Sequence, residues 1–270
     1  MDRTEQLKEY LAFASRLARE AGKITLKYYR SAIEVERKSD QSPVTIADRE
    51  TEKYLVDQIR AKYPDHGILG EELGRVNPDA EWKWVLDPID GTQAFIHGVP
   101  LYTILIALMH KGKSLVGVIY NPPQDELCAA AAGLGCTYNG APCRVSGVAD
   151  LERARVHCTD YAHLASERPR LVGAILRKVH FARTWADGYG YMMVATGRAD
   201  AMLDPALNPW DVAPLIPVIT EAGGVFTDMD GNPGDEAPQG LATHGVASNG
   251  LLQEQLLALT KLDTFQIAEE

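Results

Sequence analysis

The segment Leu86-Asp87-Pro88-Ile89-Asp90-Gly91-Thr92 restricts this chain more than any other stretch of it. Trp82 to Leu86 ahead of it reads as a short buried strand, ended at Asp87-Pro88 because a proline holds its predecessor to extended backbone. Two aspartates three positions apart leave that strand, with the proline setting the bend between them. Gly91 frees the backbone and Thr92 opens a helical turn. Both carboxylates can then face one point, with the Ile89 carbonyl as a third oxygen. Hard cations such as Mg²⁺ take such oxygens at ~2.0–2.1 Å. The N–H groups of Gly91 and Thr92 can meanwhile receive a phosphate oxygen. A plain tight turn between two elements uses the same dipeptides, Asp-Pro and Asp-Gly, so the motif has to be weighed with the other acids.

Gly70-Glu71-Glu72 follows a short apolar run and breaks at Gly74, which places it at a strand end. Trp210-Asp211 begins an apolar helix, where the carboxylate either caps the N-terminus or points into a cleft. Thr45-Ile46-Ala47-Asp48 has capping-box spacing, with Asp in place of the usual Glu. Asp228-Met229-Asp230-Gly231 resembles the nucleophile motif of the haloacid-dehalogenase phosphatases. That motif follows a continuous buried strand, whereas only Val225 and Phe226 precede it here, and Pro233 stands where an EF-hand needs glycine. It reads as a polar turn. The seven histidines show no H-x-H or H-E-x-x-H grouping.

Apolar positions at Leu7, Tyr10, Leu11, Ala14, Leu17, Ala18 and Ala21 give a long amphipathic helix over 5–30. A second helix opens at Thr45 and ends near Tyr63-Pro64. Tyr102–Met109 and Ser114–Tyr120 form a hairpin about a His-Lys-Gly-Lys turn, and Asn121-Pro122-Pro123 breaks the pattern. Further on, strands Ala154–Cys158, Val179–Arg183 and Ala201–Leu203 alternate with helices Tyr189–Thr196, Trp210–Ala222 and Leu251–Leu259. The first part therefore reads as α+β and the second as α/β, with subdomains 1–145 and 146–270 packed closely about a cleft.

Composition narrows the partners. The net charge of −10, from 37 acidic against 27 basic residues, argues against nucleic acid, whose binders are usually basic. No apolar run approaches the ~20 residues that span a bilayer, and the N-terminus lacks the pattern of a secretory signal. Cys128, Cys136, Cys143 and Cys158 show no C-x-x-C spacing, so free thiols in a reducing cytoplasm are expected.

Val44-Thr45-Ile46-Ala47-Asp48, Gly70-Glu71-Glu72, the segment from Asp87 to Thr92 with Phe95 and Gly98, and Trp210-Asp211-Val212-Ala213 together resemble the inositol monophosphatase family of magnesium-dependent, lithium-sensitive phosphatases. Order and spacing match, and the likeness covers nearly the whole chain. It implies a layered αβαβα sandwich of the sugar-phosphatase type, a small phosphate ester as substrate, two or three Mg²⁺ ions per subunit and a homodimer. It further implies that Glu71, Asp87 and the Ile89 carbonyl hold one metal, and Asp87, Asp90 and Asp211 a second. Glu71 with Thr92 would orient and deprotonate the attacking water, Asp48 would support Thr92 from behind, and Gly91 and Thr92 would bind phosphate. Two metals ~3.5–4 Å apart can stabilise both the attacking and the leaving oxygen of an in-line displacement.

Substrate choice rests on weaker signals. Arg183-Thr184-Trp185-Ala186-Asp187-Gly188-Tyr189-Gly190-Tyr191 stands where inositol-type members carry a Gly-Ser/Thr-Ala-Ala stretch. With Asp204-Pro205 and His66-Gly67-Ile68-Leu69, it looks most like the histidinol-phosphatase branch. Asp187 and Asp204, with Tyr189 as an aromatic wall, would suit a cationic leaving group better than a neutral polyol. Inositol 1-phosphate or a broad range of sugar phosphates is the alternative substrate, and a metal- or phosphosugar-binding protein without catalysis is the alternative class.

Overall fold

The computed structural model describes residues 2–39, 41–185, 187–236 and 240–266; Ala186, within the expected substrate segment, lies outside them. Helix α1 (Arg3–Tyr28) buries Leu7, Tyr10, Ala14, Leu17 and Ala21 along one face, as their spacing requires. After strands β1 (Val35–Arg37) and β2 (Pro43–Thr45) comes α2 (Ile46–Lys62), with Thr45 as its N-cap. Strands β3 (Gly67–Gly70), β4 (Arg75–Val76) and β5 (Trp82–Asp90) lead into the short helix α3 (Thr92–Ile96). Then follow β6 (Thr103–His110), β7 (Lys113–Asn121), β8 (Glu126–Ala131), β9 (Gly135–Tyr138) and β10 (Ala141–Pro142).

The chain continues through β11 (Arg155–Cys158), α4 (Tyr161–Glu167), α5 (Pro169–Lys178), β12 (Phe181–Arg183), α6 (Gly188–Ala195) and β13 (Ala201–Asp204). It closes with α7 (Pro209–Glu221), β14 (Val225–Thr227), β15 (Gly245–Ser248) and α8 (Gln253–Thr260). Among the described residues no helix is long and apolar enough to cross a membrane.

Two sheets result. The larger has the order β10-β9-β8-β7-β6-β5-β3-β4 and the smaller β12-β11-β13-β15-β14. Alternation along β6 shows how layers form on both sides of the larger sheet. Ile104, Ile106 and Leu108 meet Leu7, Tyr10, Leu17, Leu55 and Ile59 from α1 and α2. Leu105 and Ala107 face the other way, toward α6 and α7. Those two helices also touch Met202, Phe226 and Ala247 of the smaller sheet. Its outer face packs Val156, Leu203 and Val246 against α4, α5 and α8. Helix, sheet, helix, sheet and helix stack in turn, an α/β sandwich with two mixed sheets.

Several elements differ from the sequence-based expectation. The strand expected to stop at Leu86 runs to Asp90, because a bulge between Asp87 and Asp90 absorbs the proline, which has no N–H to donate. The break at Asn121-Pro122-Pro123 is only a single 3₁₀ turn, capped by the Asn121 side chain, and the sheet resumes in β8. The smaller sheet, whose strand directions the sequence left open, is mixed: β11 runs parallel to β12 and β13, whereas β15 is antiparallel to β13 and β14.

Helix α7 lies against β7 at Gly117, and there the backbone itself makes the contact. A Cβ on Gly117 would stand 2.2 Å from the Pro214 carbonyl oxygen and 2.7 Å from Pro217 Cγ. Pro217 leaves the Ala213 carbonyl without its helical donor, and the Ser114 hydroxyl of β7 donates to that oxygen instead. Gly117→Ala is expected to destabilise the protein by ~1–3 kcal/mol, since helix and sheet must move apart. Urea unfolding checks it, and an unchanged midpoint would mean that α7 is not seated on this residue.

Candidate active site

Strand register builds the site. β3 is parallel to β5 with Gly70 opposite Leu86, and the Glu71 N–H donates to the Leu86 carbonyl at 3.3 Å. Glu71 and Asp87 therefore leave neighbouring strands side by side. Beyond the bulge Asp90 pairs with Thr103, whose hydroxyl donates to Asp90 Oδ2 at 2.7 Å; the Gly188 N–H donates to the same oxygen at 2.5 Å. Asp87 Oδ1 accepts the Ile89 N–H at 3.0 Å. Gly91 turns the chain at φ +80°, a conformation that favours glycine. Thr92 Oγ1 donates to the Ile89 carbonyl at 3.0 Å, and that oxygen keeps a second lone pair for another partner.

Asp211 comes from the far side, in the first turn of α7. Both sequence readings of it hold, because Oδ2 accepts the Asn208 N–H at 2.7 Å as part of a capping box while the carboxylate lines the cleft. One carboxylate oxygen from each of Asp87, Asp90 and Asp211 lies within 4.8 Å of the others. Burial first, then the charges of Glu71, Asp90 and Asp211, push the Asp87 carboxyl well up. Burial and Asp90 do the same to Asp211, and burial lifts Asp90 to about 6. Acids so disposed resist ionising together unless a positive charge sits among them, and an all-oxygen set of this kind fits a hard divalent cation.

Glu71 and Glu72 share one cation. Lys38 Nζ donates to Glu71 at 2.7 Å and to Glu72 at 2.5 Å, and these contacts hold the ammonium's pKa above its ordinary value against the opposing effect of burial. Beneath them lies Glu52, which the sequence reading did not single out. Its carboxylate accepts the Glu72 and Leu73 N–H groups, both at 2.8 Å, and a Cβ on Gly70 would collide with it. Glu52 shares the buried stripe of α2 with Ala47, Thr51, Leu55 and Ile59, so an acid on an apolar helical face was the available signal. Asp48 behaves differently from the family-based expectation. Its Oδ2 accepts the Thr45 N–H at 2.8 Å and the Thr45 hydroxyl at 2.6 Å, closing the capping box, while Thr92 bonds to Ile89 instead.

The cleft lined by Glu71, Asp87, Asp90, Thr92, Asp187 and Asp211 has a volume of about 260 Å³. Asp90, Asp187 and Asp211 also border an inner pocket of about 60 Å³, closed by Asp204, Thr159 and Tyr191. Asp187 adopts φ +55°, and a Cβ on Gly91 would stand 2.7 Å from its Oδ2, so this carboxylate lies directly over the Gly91 turn. Asp204 accepts the Thr159 hydroxyl at 2.6 Å. Burial, then Asp90 and Asp204, raise the Asp187 carboxyl well above its ordinary value; burial also lifts Asp204 to about 7. Tyr189 is not the aromatic wall that was expected. Two helical positions are ~200° apart, so only one of Tyr189 and Tyr191 can face the pocket. Tyr191 does, and Tyr189 meets the Arg198 guanidinium at 5.5 Å. Asp228 accepts the Asp230 and Asn232 N–H groups in a polar turn outside both cavities.

This architecture is the α/β sandwich of the inositol monophosphatases. An IMPase structure from Thermotoga maritima superimposes with a TM-score of 0.87 at 28% identity, over 95% of this chain and 98% of that one. The inositol monophosphatase family model matches residues 6–262, and the chain belongs to that family as one of its phosphomonoesterases. It is 40% identical to a histidinol-phosphatase of Chlorobaculum parvum, over 92% of this chain and 95% of that protein. It is 36% identical to a histidinol-phosphatase of Mycobacterium tuberculosis, over 92% of this chain and 96% of the relative.

Burial lifts the Glu52 carboxyl from an ordinary 4.5 to about 7, against the N–H bonds it accepts. A carboxyl with a raised folded pKa stabilises the fold fully below its unfolded pKa, and the contribution is lost as pH rises through the folded one. Glu52→Gln does not titrate. In EDTA its stability relative to wild type should therefore improve by on the order of 2 kcal/mol between pH ~4.5 and ~7.5. Urea melts across that window test it, and a constant difference would refute it.

Proposed function

We propose that this phosphatase hydrolyses histidinol phosphate, using Mg²⁺ held by Glu71, Asp87, the Ile89 carbonyl, Asp90 and Asp211. The observation that carries the substrate is the inner pocket, where Asp204 and Tyr191 extend the carboxylate cleft past Asp187, the acid that lies over Gly91. Bound magnesium supplies the positive charge that lowers the pKa of water and offsets the charge of a phosphate dianion. Glu71 orients the attacking water and accepts its proton at a carboxylate oxygen, with Thr92 beside it. The N–H groups of Gly91 and Thr92 receive phosphate oxygens.

Discrimination falls to the leaving group, because every phosphate monoester presents the same phosphate. The inner pocket, at about 60 Å³, is far smaller than the cleft of about 260 Å³. It accommodates a primary ammonium but not an imidazole ring, which stays in the wider cleft. An ammonium between Asp187 and Asp204 also supplies the charge that keeps both acids ionised despite their burial. The two histidinol-phosphatase relatives support the same assignment.

Two measurements test this. Activity should vanish in EDTA, return with Mg²⁺ and be absent from Asp87→Asn, which removes one of the three clustered carboxylates; full turnover after exhaustive chelation would sink the metal reading. kcat/KM for L-histidinol phosphate should exceed that for inositol 1-phosphate by ~10–100-fold, the scale of one well-placed charged contact. Asp204→Asn should raise KM for the first ester alone. A preference for inositol 1-phosphate would overturn the substrate while leaving the metal assignment intact.

A further inference from the structure

Three of the four cysteines converge although no sequence spacing unites them. Cys128 lies on β8 opposite Tyr138, and Cys136 lies on β9 opposite Ala130, so the two are diagonal neighbours on one face. The chain leaving β10 continues the ladder, and the Cys143 N–H donates to the Cys136 carbonyl at 3.0 Å. All three side chains join the apolar layer beneath α6 and α7. Their sulfurs lie within 4.8 Å of one another, with Cys128 and Cys136 buried and Cys143 partly exposed.

Single cysteines commonly serve as small apolar core residues, and Cys158, buried on β11 away from the others, fits that role. Packing alone gives no reason for three sulfurs from three adjacent segments to share one point. We propose that Cys128, Cys136 and Cys143 form a binding site for one soft, thiophilic metal ion, of the copper(I) class. With metal–sulfur bonds of ~2.3 Å a trigonal set places its sulfurs ~4 Å apart, within the observed spacing. Zinc asks for a fourth ligand, whereas copper(I) accepts soft thiolates in lower number. Binding transfers no electrons: three thiols release three protons to solvent, and the monovalent ion with three thiolates carries a net charge of −2. The Arg198 guanidinium, 5.2 Å over the Tyr138 ring and paired with Glu126, is the cation on this side of the cluster. β8 is three strands from β5 in the sheet order, so this site is separate from the carboxylates. The carboxylates select hard ions and the sulfurs soft ones.

The full-length protein, reduced, anaerobic and saturated with Mg²⁺, is titrated against copper(I) held by a coloured chelator. One ion per chain should leave the chelator, and three of the four thiols should become protected from a thiol reagent. Cys143→Ser, at the partly exposed position, should weaken copper(I) binding by ~10²-fold or more. Cys158→Ser should bind as wild type does, and circular dichroism checks that both variants are folded. No copper uptake by the reduced wild type would overturn the site, as would equal binding by Cys143→Ser. So would protection of fewer than three thiols, a readout that needs no variant.

Discussion

Like charges gathered away from water repel strongly, and the functional half of this molecule is organised around that cost. Asp87, Asp90 and Asp211 come from a strand, its bulged end and a distant helix, yet their oxygens converge within 4.8 Å. Burial and mutual repulsion both drive protons onto them. Their surroundings are built to tolerate the cluster. The Ile89, Gly188 and Asn208 N–H groups and the Thr103 hydroxyl each donate to one of these carboxylates, and Lys38 balances Glu71 and Glu72 at the rim. What the donors leave unbalanced is a deficit of positive charge, which the divalent cation proposed for this site would fill.

Much of this arrangement could be read along the chain because its ingredients are local. Asp87, Pro88, Asp90 and Gly91 specify a bend whatever surrounds them, and the stripe from Leu7 to Ala21 specifies a helix. The long-range parts were harder. Pro88 suggested the end of a strand, but pairing with β6 carried the extended backbone past it, a tertiary effect that overrode a local rule. Tyr189 and Tyr191 differ only in helical phase, and the phase is set by the packing of α6 between two sheets. Glu52 was hidden because its partners are the backbone N–H groups of a loop, which no side-chain motif records. The three cysteines lacked any spacing signal, since antiparallel strands join residues by register rather than by sequence interval.

Helix α7 holds the two sheets together and is fastened at both ends. Its first turn is capped by Asn208 and carries Asp211, and near its last turn Glu221 accepts the Gly133 and Gly135 N–H groups of the β8–β9 turn, both at 2.8 Å. Between these ends it rests on Gly117 without a side chain intervening. Because α7 carries one of the proposed ligand carboxylates and also spans the central layer, a cation bound there would be a term in the folding equilibrium. Where free cation exceeds its dissociation constant a hundredfold, the native state gains about 2.7 kcal/mol over the unfolded chain. Starved of such an ion, the same polypeptide would keep its shape with a thinner margin. The cation concentration that sets turnover under this proposal would then also set how long each molecule survives proteases and heat.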